Sequence, residues 1–238
     1  MNGQLVWLAT LATVVLLFGY EAAVAVAQRH QPDRMARSAH ARLREDWFEA
    51  VSQHNGSELL AVQTLRNALM SATMTASTAV LGLMGTVTLA APSLRSSFAE
   101  SVTLPSITPR LVLALFLLAL LFASLVCSAM AVRYYNHAGF ISGMPVQSEA
   151  RLRWAMAGKG YVRRAGLLYS RGLRYLILVA PILASLLHPF AGPLAAAVVL
   201  AVLWRFDRMG ASRSSQSRLI RGPAARSACR SSGPAAGP

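Results

Sequence analysis

LAVQTLRNALMSATMTASTAVLGLMG, residues 60 to 85, carries Arg66 and Asn67 where a long apolar run begins. Hydroxyl groups punctuate it: Ser71, Thr73, Thr75, Ser77 and Thr78, with Thr86 just beyond. A bilayer core of ~30 Å takes roughly 20 apolar residues as helix. The run 68–91, closed by Pro92, meets that length, so the stretch reads as a membrane-spanning helix carrying an unusual load of polar groups.

Those groups are not scattered. At roughly 100° per residue, Gln63, Asn67, Ser71, Thr75, Thr78 and Gly82, with Gly85, fall within one arc of about 120°. Leu65, Leu69, Ala76 and Leu83 lie on the other side. Thr73 and Ser77 sit off the arc, where they can bond to their own backbone. The stripe has two readings. Small and hydroxylated residues let helices pack closely and bond to each other, at about 0.6 kcal/mol per bond. Polar groups in hydrocarbon also mark paths for ions and small solutes. The two overlap if the helix faces a central axis in an oligomer.

Composition agrees with a membrane protein. Of 238 residues, 55% are hydrophobic and 13% charged, against about 25% charged in a soluble domain. Mean hydropathy is +0.45. Net charge is +14, from 22 Arg and the single Lys159 against nine acids. The arginines lie between apolar runs, so a membrane-surface role comes before nucleic acid, and no nucleic-acid partner is expected. Cys127 and Cys229 give neither a disulfide framework nor metal spacing.

Apolar segments are expected near 5–27, 68–91, 111–132, 175–187 and 193–204. The last two meet at HPFAGP, 188–193, whose prolines and glycine break a helix. They read as a hairpin or as one long kinked helix. Arginine placement orients the chain. Residues 28–66 and 133–174 are rich in Arg, and 92–110 hold only Arg95 and Arg110. Cytoplasmic loops carry the positive excess, so the N-terminus is expected outside. The basic tail is inside if the last region crosses twice.

Residues 36–58 and 149–172 alternate charge and apolar residues at helical spacing. They read as amphipathic cytoplasmic segments suited to anionic lipid. HNGSE, 54–58, reads as a turn and N-cap. The Arg-, Ser- and Pro-rich stretch 209–238 is expected to be a disordered basic tail.

Glu21 lies near the inner end of the first segment. Arg29, Arg66 or Arg133 are its expected partners, in a structural ion pair or a proton or cation site. Arg66 and Arg133 begin and end spans, and snorkelling to the interface accounts for them. His30, His40, His54, His137 and His188 show no metal spacing, so no metal or cofactor is expected. No GxSxG or phosphate-cradling loop occurs, so no enzyme is expected.

The opening block carries a resemblance. LAVQTLRN, followed by Met70 and Thr73, resembles the LAVQTLRNxxMxSTLxATT signature of the domain-of-unknown-function 599 family, membrane proteins of plants and bacteria. Arg44 and Trp47 match upstream. Arg133, Asn136, Ile141 and Pro145 match within VRYYNHAGFISGMP. Gly160, Tyr161, Arg174, Tyr175, Pro181, Gly192, Pro193 and Asp207 follow in order, so the likeness spans roughly 5–208. Many relatives have Tyr-His where this chain has Tyr20-Glu21, and the second loop is shorter here. The resemblance implies a multi-pass membrane protein and brings no activity with it.

The expectation is therefore an all-α integral membrane helical bundle of four to five membrane segments, residues 1–208, in a bacterial inner membrane. Its partners would be anionic lipids at the cytoplasmic face and either further copies of itself or another membrane protein. The leading role is a solute or ion conduit lined by the second helix, with Arg66 at its inner mouth. The rival is a structural or accessory subunit.

Overall fold

A computed structural model describes residues 3–30, 36–99 and 108–221. Its elements are α1 (Gly3–His30), α2 (Ala36–Gln53), α3 (Glu58–Ala99), α4 (Pro109–Ser142), α5 (Glu149–Ile177), α6 (Val179–Leu187) and α7 (Ala191–Arg221). No strand occurs among the described residues. Four stretches are long and apolar enough to cross a membrane: Gly3–Ala27, Glu58–Pro92, Pro109–Ser142 and Glu149–Leu187.

The long helices overrun a bilayer. α3 has 42 residues and α4 has 34, so they reach about 63 and 51 Å at 1.5 Å per residue. They run antiparallel. Gly82 meets Leu121 in mid-span, and Gly143, just past α4, meets Val62 near the start of α3. The start of α3, the end of α4 and the start of α5 thus share one end, which carries exposed Arg66, Arg133, Arg153, Arg163 and Arg164. We call it the basic end.

Two cores stack along the bundle. One is aliphatic: Leu17, Leu113, Leu117, Leu121, Leu178 and Ile182 join α1, α4 and α6. The other lies at the basic end and is richer in aromatics. Phe48, Leu65, Tyr135, Ile141 and Val162 centre it, with Trp47, Tyr134 and Tyr161 packed around them. Here α2 lies against α5. Phe48 fills the space over Gly158, and Glu45 and Glu49 pair with Arg163 and Lys159 at 3.3 and 2.7 Å.

Several elements differ from the sequence expectation. α3 begins at Glu58, ahead of the apolar run, and continues through Pro92 to Ala99. A proline removes a single ladder bond, which transmembrane helices tolerate. The Ser57 carbonyl accepts from the Ala61 N–H at 2.9 Å, so Ser57 caps α3 through its backbone rather than its side chain. Its hydroxyl donates to the carbonyls of Val51 and His54 at 2.8 and 2.6 Å, tying the turn back onto α2. Gly56 supplies the positive φ of 85° that this turn needs. α5 runs unbroken from Glu149 to Ile177, so 149–172 and the first residues of the apolar segment after it share one helix, and α6 carries the rest of that segment. The α5 face of Gly158, Val162, Ala165, Gly166 and Gly172 is buried, while Leu152, Trp154 and Met156 are exposed beside Arg153, Arg163 and Arg164. The chain turns at His188–Phe190, and α7 packs back along α6 as a hairpin. α7 is helical to Arg221, which takes in part of 209–238, and residues 222–238 lie outside the described residues.

Candidate functional site

The α3 stripe divides. Thr75 is buried, and a Cβ on Gly82 would lie 2.9 Å from Leu121, so this edge packs α3 against α4. Gln63, Asn67, Ser71 and Thr78 are exposed on the outside of the single chain. The inward face of α3 is instead Ala61, Leu65, Ala72 and Ala79. Every stripe hydroxyl donates to the carbonyl four residues back: Ser71 to Asn67 at 3.1 Å, Thr75 to Ser71 at 2.9 Å, Thr78 to Met74 at 3.0 Å. The hydroxyl protons are used within the helix and the hydroxyl oxygens keep lone pairs, while the exposed Gln63 and Asn67 amides offer donors as well as acceptors. On the other flank, Thr73 and Ser77 line an open groove of about 510 Å³ with Ala129 and Val132 of α4.

Glu21 has a different partner from those expected. Arg66 and Arg133 are exposed on α3 and α4, and the Arg29 side chain lies outside the described residues. Glu21 Oε1 faces Arg174 Nη1 at 3.8 Å. Arg174 also donates to Asp207 Oδ2 at 2.6 Å, and the Tyr20 hydroxyl donates to the same oxygen at 3.2 Å. The Tyr20 ring lies under the guanidinium, 5.6 Å from centroid to Cζ. Three side chains from α1 and α7 thus meet around the Arg174 guanidinium of α5, whose side chain is 7% exposed. Its Nη1 and Glu21 Oε1 are buried without hydrogen-bond partners. Arg174 is about 20 Å of helix from the turn at His188 and lies within Glu149–Leu187, one of the stretches long and apolar enough to cross a membrane. There an isolated charge is costly and a paired one is held.

Sequence reasoning missed this cluster. Arg174 sits in a basic run and Asp207 next to Arg205 and Arg208, so each has a nearer explanation. The available signal was an acid at Asp207 closing an apolar helix, facing an arginine that opens one.

A cavity of about 350 Å³ opens between α2 and the α3–α5 layer. Leu65, Ala68 and Val162 form its apolar wall, Leu43 and Trp47 its rim, and Arg44, Thr64 and Tyr135 its polar groups. The Arg44 guanidinium rests on Gly166, where a Cβ would collide with it. Among the described residues no three His, Cys, Asp or Glu side chains converge as a metal site would need.

Four long apolar stretches, with α5 tied to α7 by the Arg174–Asp207 pair, define a multi-pass integral membrane protein. The chain belongs to the family described as protein of unknown function, DUF599, whose model matches residues 8–212. Residues that carry that resemblance converge in space: Arg44, Trp47, Thr64 and Leu65 line the cavity, and Arg174 pairs with Asp207. No curated protein and no solved structure matches the chain.

Proposed function

We propose that this is a non-enzymatic membrane protein that assembles with further copies of itself through α3, and that the α3 stripe lines a path for a small solute or ion along the axis of that assembly. The supporting observation is the exposure of Gln63, Asn67, Ser71 and Thr78 on the outside of one chain. A path lined by these groups forms only between chains. In hydrocarbon, side-chain amides and hydroxyl lone pairs turned outward need a wet or polar counterpart. The stripe's hydroxyl oxygens accept and its Gln63 and Asn67 amides both donate and accept, which suits water or a small polar solute or ion. In this reading the basic end is cytoplasmic, because positive charge is retained inside, and the membrane is a bacterial inner membrane.

A second reading is an accessory subunit that docks a helix of another membrane protein. The groove of about 510 Å³ beside Thr73, Ser77 and Ala129 favours it, since small residues admit a close helix–helix approach.

Liposomes holding the purified full-length chain separate the two. Ion or small-solute flux that Asn67→Leu and Ser71→Leu abolish, in variants that still insert, supports the conduit. A monomeric wild type, or no flux across a broad panel, removes the conduit and leaves the accessory role.

A further inference from the structure

We infer that the cavity between α2 and the α3–α5 layer is a binding site for an anionic phospholipid of the surrounding bilayer, with its phosphate on Arg44 and an acyl chain against Leu65, Ala68 and Val162. This is independent of the conduit and of the oligomeric state.

The first ground is charge. Arg44 is half-buried, and among the described residues it pairs with no carboxylate: Glu45 goes to Arg163 and Glu49 to Lys159. A half-buried guanidinium is a strong donor in search of a planar or tetrahedral anion. Beside it the Thr64 hydroxyl spends its proton on the Leu60 carbonyl at 2.9 Å. Tyr135, buried at 5% exposure, adds its phenol to the cavity wall.

The second ground is shape. A volume of about 350 Å³ falls within the range of ligand pockets, and apolar side chains form most of the lining. A soluble anion would pair with Arg44 and leave that lining bare to water. An amphiphile satisfies both parts at once.

The third ground is place. Leu65 precedes Arg66, Val162 precedes Arg163 and Tyr135 follows Arg133 by two residues, so the cavity lies at the belt of arginines that bounds the apolar spans. Leu43 is 63% exposed on its rim, and Trp47 beside it is the residue type that settles at headgroup level. An acyl chain can therefore enter sideways from the bilayer. The arginine belt favours a head group of net negative charge over a zwitterion.

Gly166 gives a variant that moves the guanidinium without removing it. Any side chain there takes the place Arg44 occupies. The test is native mass spectrometry of the full-length chain in mild detergent, with phosphatidylglycerol or phosphatidylcholine added. The wild type is expected to retain phosphatidylglycerol at least threefold more than phosphatidylcholine. Arg44→Gln and Gly166→Ala should each bring the ratio near one, Arg153→Gln should leave it unchanged, and millimolar inorganic phosphate should not displace the lipid. If a variant does not fold, photoactivatable phosphatidylglycerol on the wild type decides, with adducts expected in 43–47 and 64–68. Equal retention of the two lipids, wild-type ratios in both variants, displacement by phosphate, or adducts confined to other segments would each overturn the site.

Discussion

Arg174 of α5 holds Asp207 of α7 at 2.6 Å and Glu21 of α1 at 3.8 Å, so one guanidinium joins three helices and does so unequally. The close bond is charge-assisted and supported by the Tyr20 hydroxyl. The distant contact is a Coulombic one, with no hydrogen bond to Glu21 Oε1.

That inequality sets an order of losses. Removing one member of a buried pair leaves the other uncompensated and costs roughly 3–5 kcal/mol. Asp207→Asn should therefore lower the thermal unfolding temperature in detergent sharply. Glu21→Gln, which keeps the shape and touches only the longer contact, should lower it far less. Thermal unfolding of both variants in one detergent checks this. A larger loss for Glu21→Gln would mean that Glu21, not Asp207, is the principal partner.

Packing of α4 on α5 makes a second prediction. The Ser124 hydroxyl donates to the Gly172 carbonyl at 2.8 Å, and a Cβ on Gly172 would stand 2.7 Å from Ser128 Oγ. Gly172→Ala should cost about 1–3 kcal/mol, the usual range for forcing an extra methyl into a filled seam. Ser128 Oγ has no partner, so Ser128→Ala alone should be nearly neutral. The double variant should recover part of the loss. It will not recover all of it, because the Ser124 carbonyl remains 3.2 Å from the added Cβ. Unfolding midpoints of the three variants test this, and the absence of any rescue would place the clash on the Ser124 backbone instead.

The parts of the fold that follow local rules were legible in the sequence. Apolar runs of bilayer length are local, and so is the break at HPFAGP, because proline and glycine act on their own turn. The cross-chain relationships were not. Glu21 offered three plausible arginines near its own end, and the fold chose a fourth, Arg174, from a helix that sequence alone does not place. For α3, the polar arc of Gln63, Asn67, Ser71 and Thr78 faces outward and Ala61, Leu65, Ala72 and Ala79 face inward. Hydropathy separates the two arcs, but in a membrane a polar arc can face a partner, a path or the bundle interior, and the answer depends on where α4 packs. The cavity was hidden for the same reason. Arg44 and Leu65 each look ordinary until α2 folds onto α3.

The divided stripe predicts two kinds of variant. Asn67 and Ser71 are exposed, so Asn67→Leu and Ser71→Leu should leave the unfolding temperature of the single chain within the small range typical of surface changes. Their effect should appear in self-association, as loss of the cross-linked oligomer ladder in membranes. Thr75, 8% exposed against α4, should behave oppositely. Thr75→Leu adds volume to a packed seam and should destabilise the chain itself by about 1–3 kcal/mol. Uniform loss of fold across all three would show that the whole stripe packs within one chain.

The docking of α2 predicts which contact dominates there. Phe48 is 3% exposed, and its ring comes within 2.5 Å of where a Cβ on Gly158 would stand. The Glu45–Arg163 and Glu49–Lys159 pairs each have one exposed member and lie at the protein surface, where ion pairs contribute little. Deleting a buried phenyl ring costs about 3–5 kcal/mol. Phe48→Ala should therefore free α2, raising amide exchange across 36–53 while the amides of α4 and α5 stay protected. Glu45→Gln combined with Glu49→Gln should leave α2 protected. Gly158→Val, which forces the ring out from the other side, should reproduce the Phe48→Ala pattern. If the double glutamine variant releases α2 and Phe48→Ala does not, charge rather than the ring-over-glycine contact holds this helix.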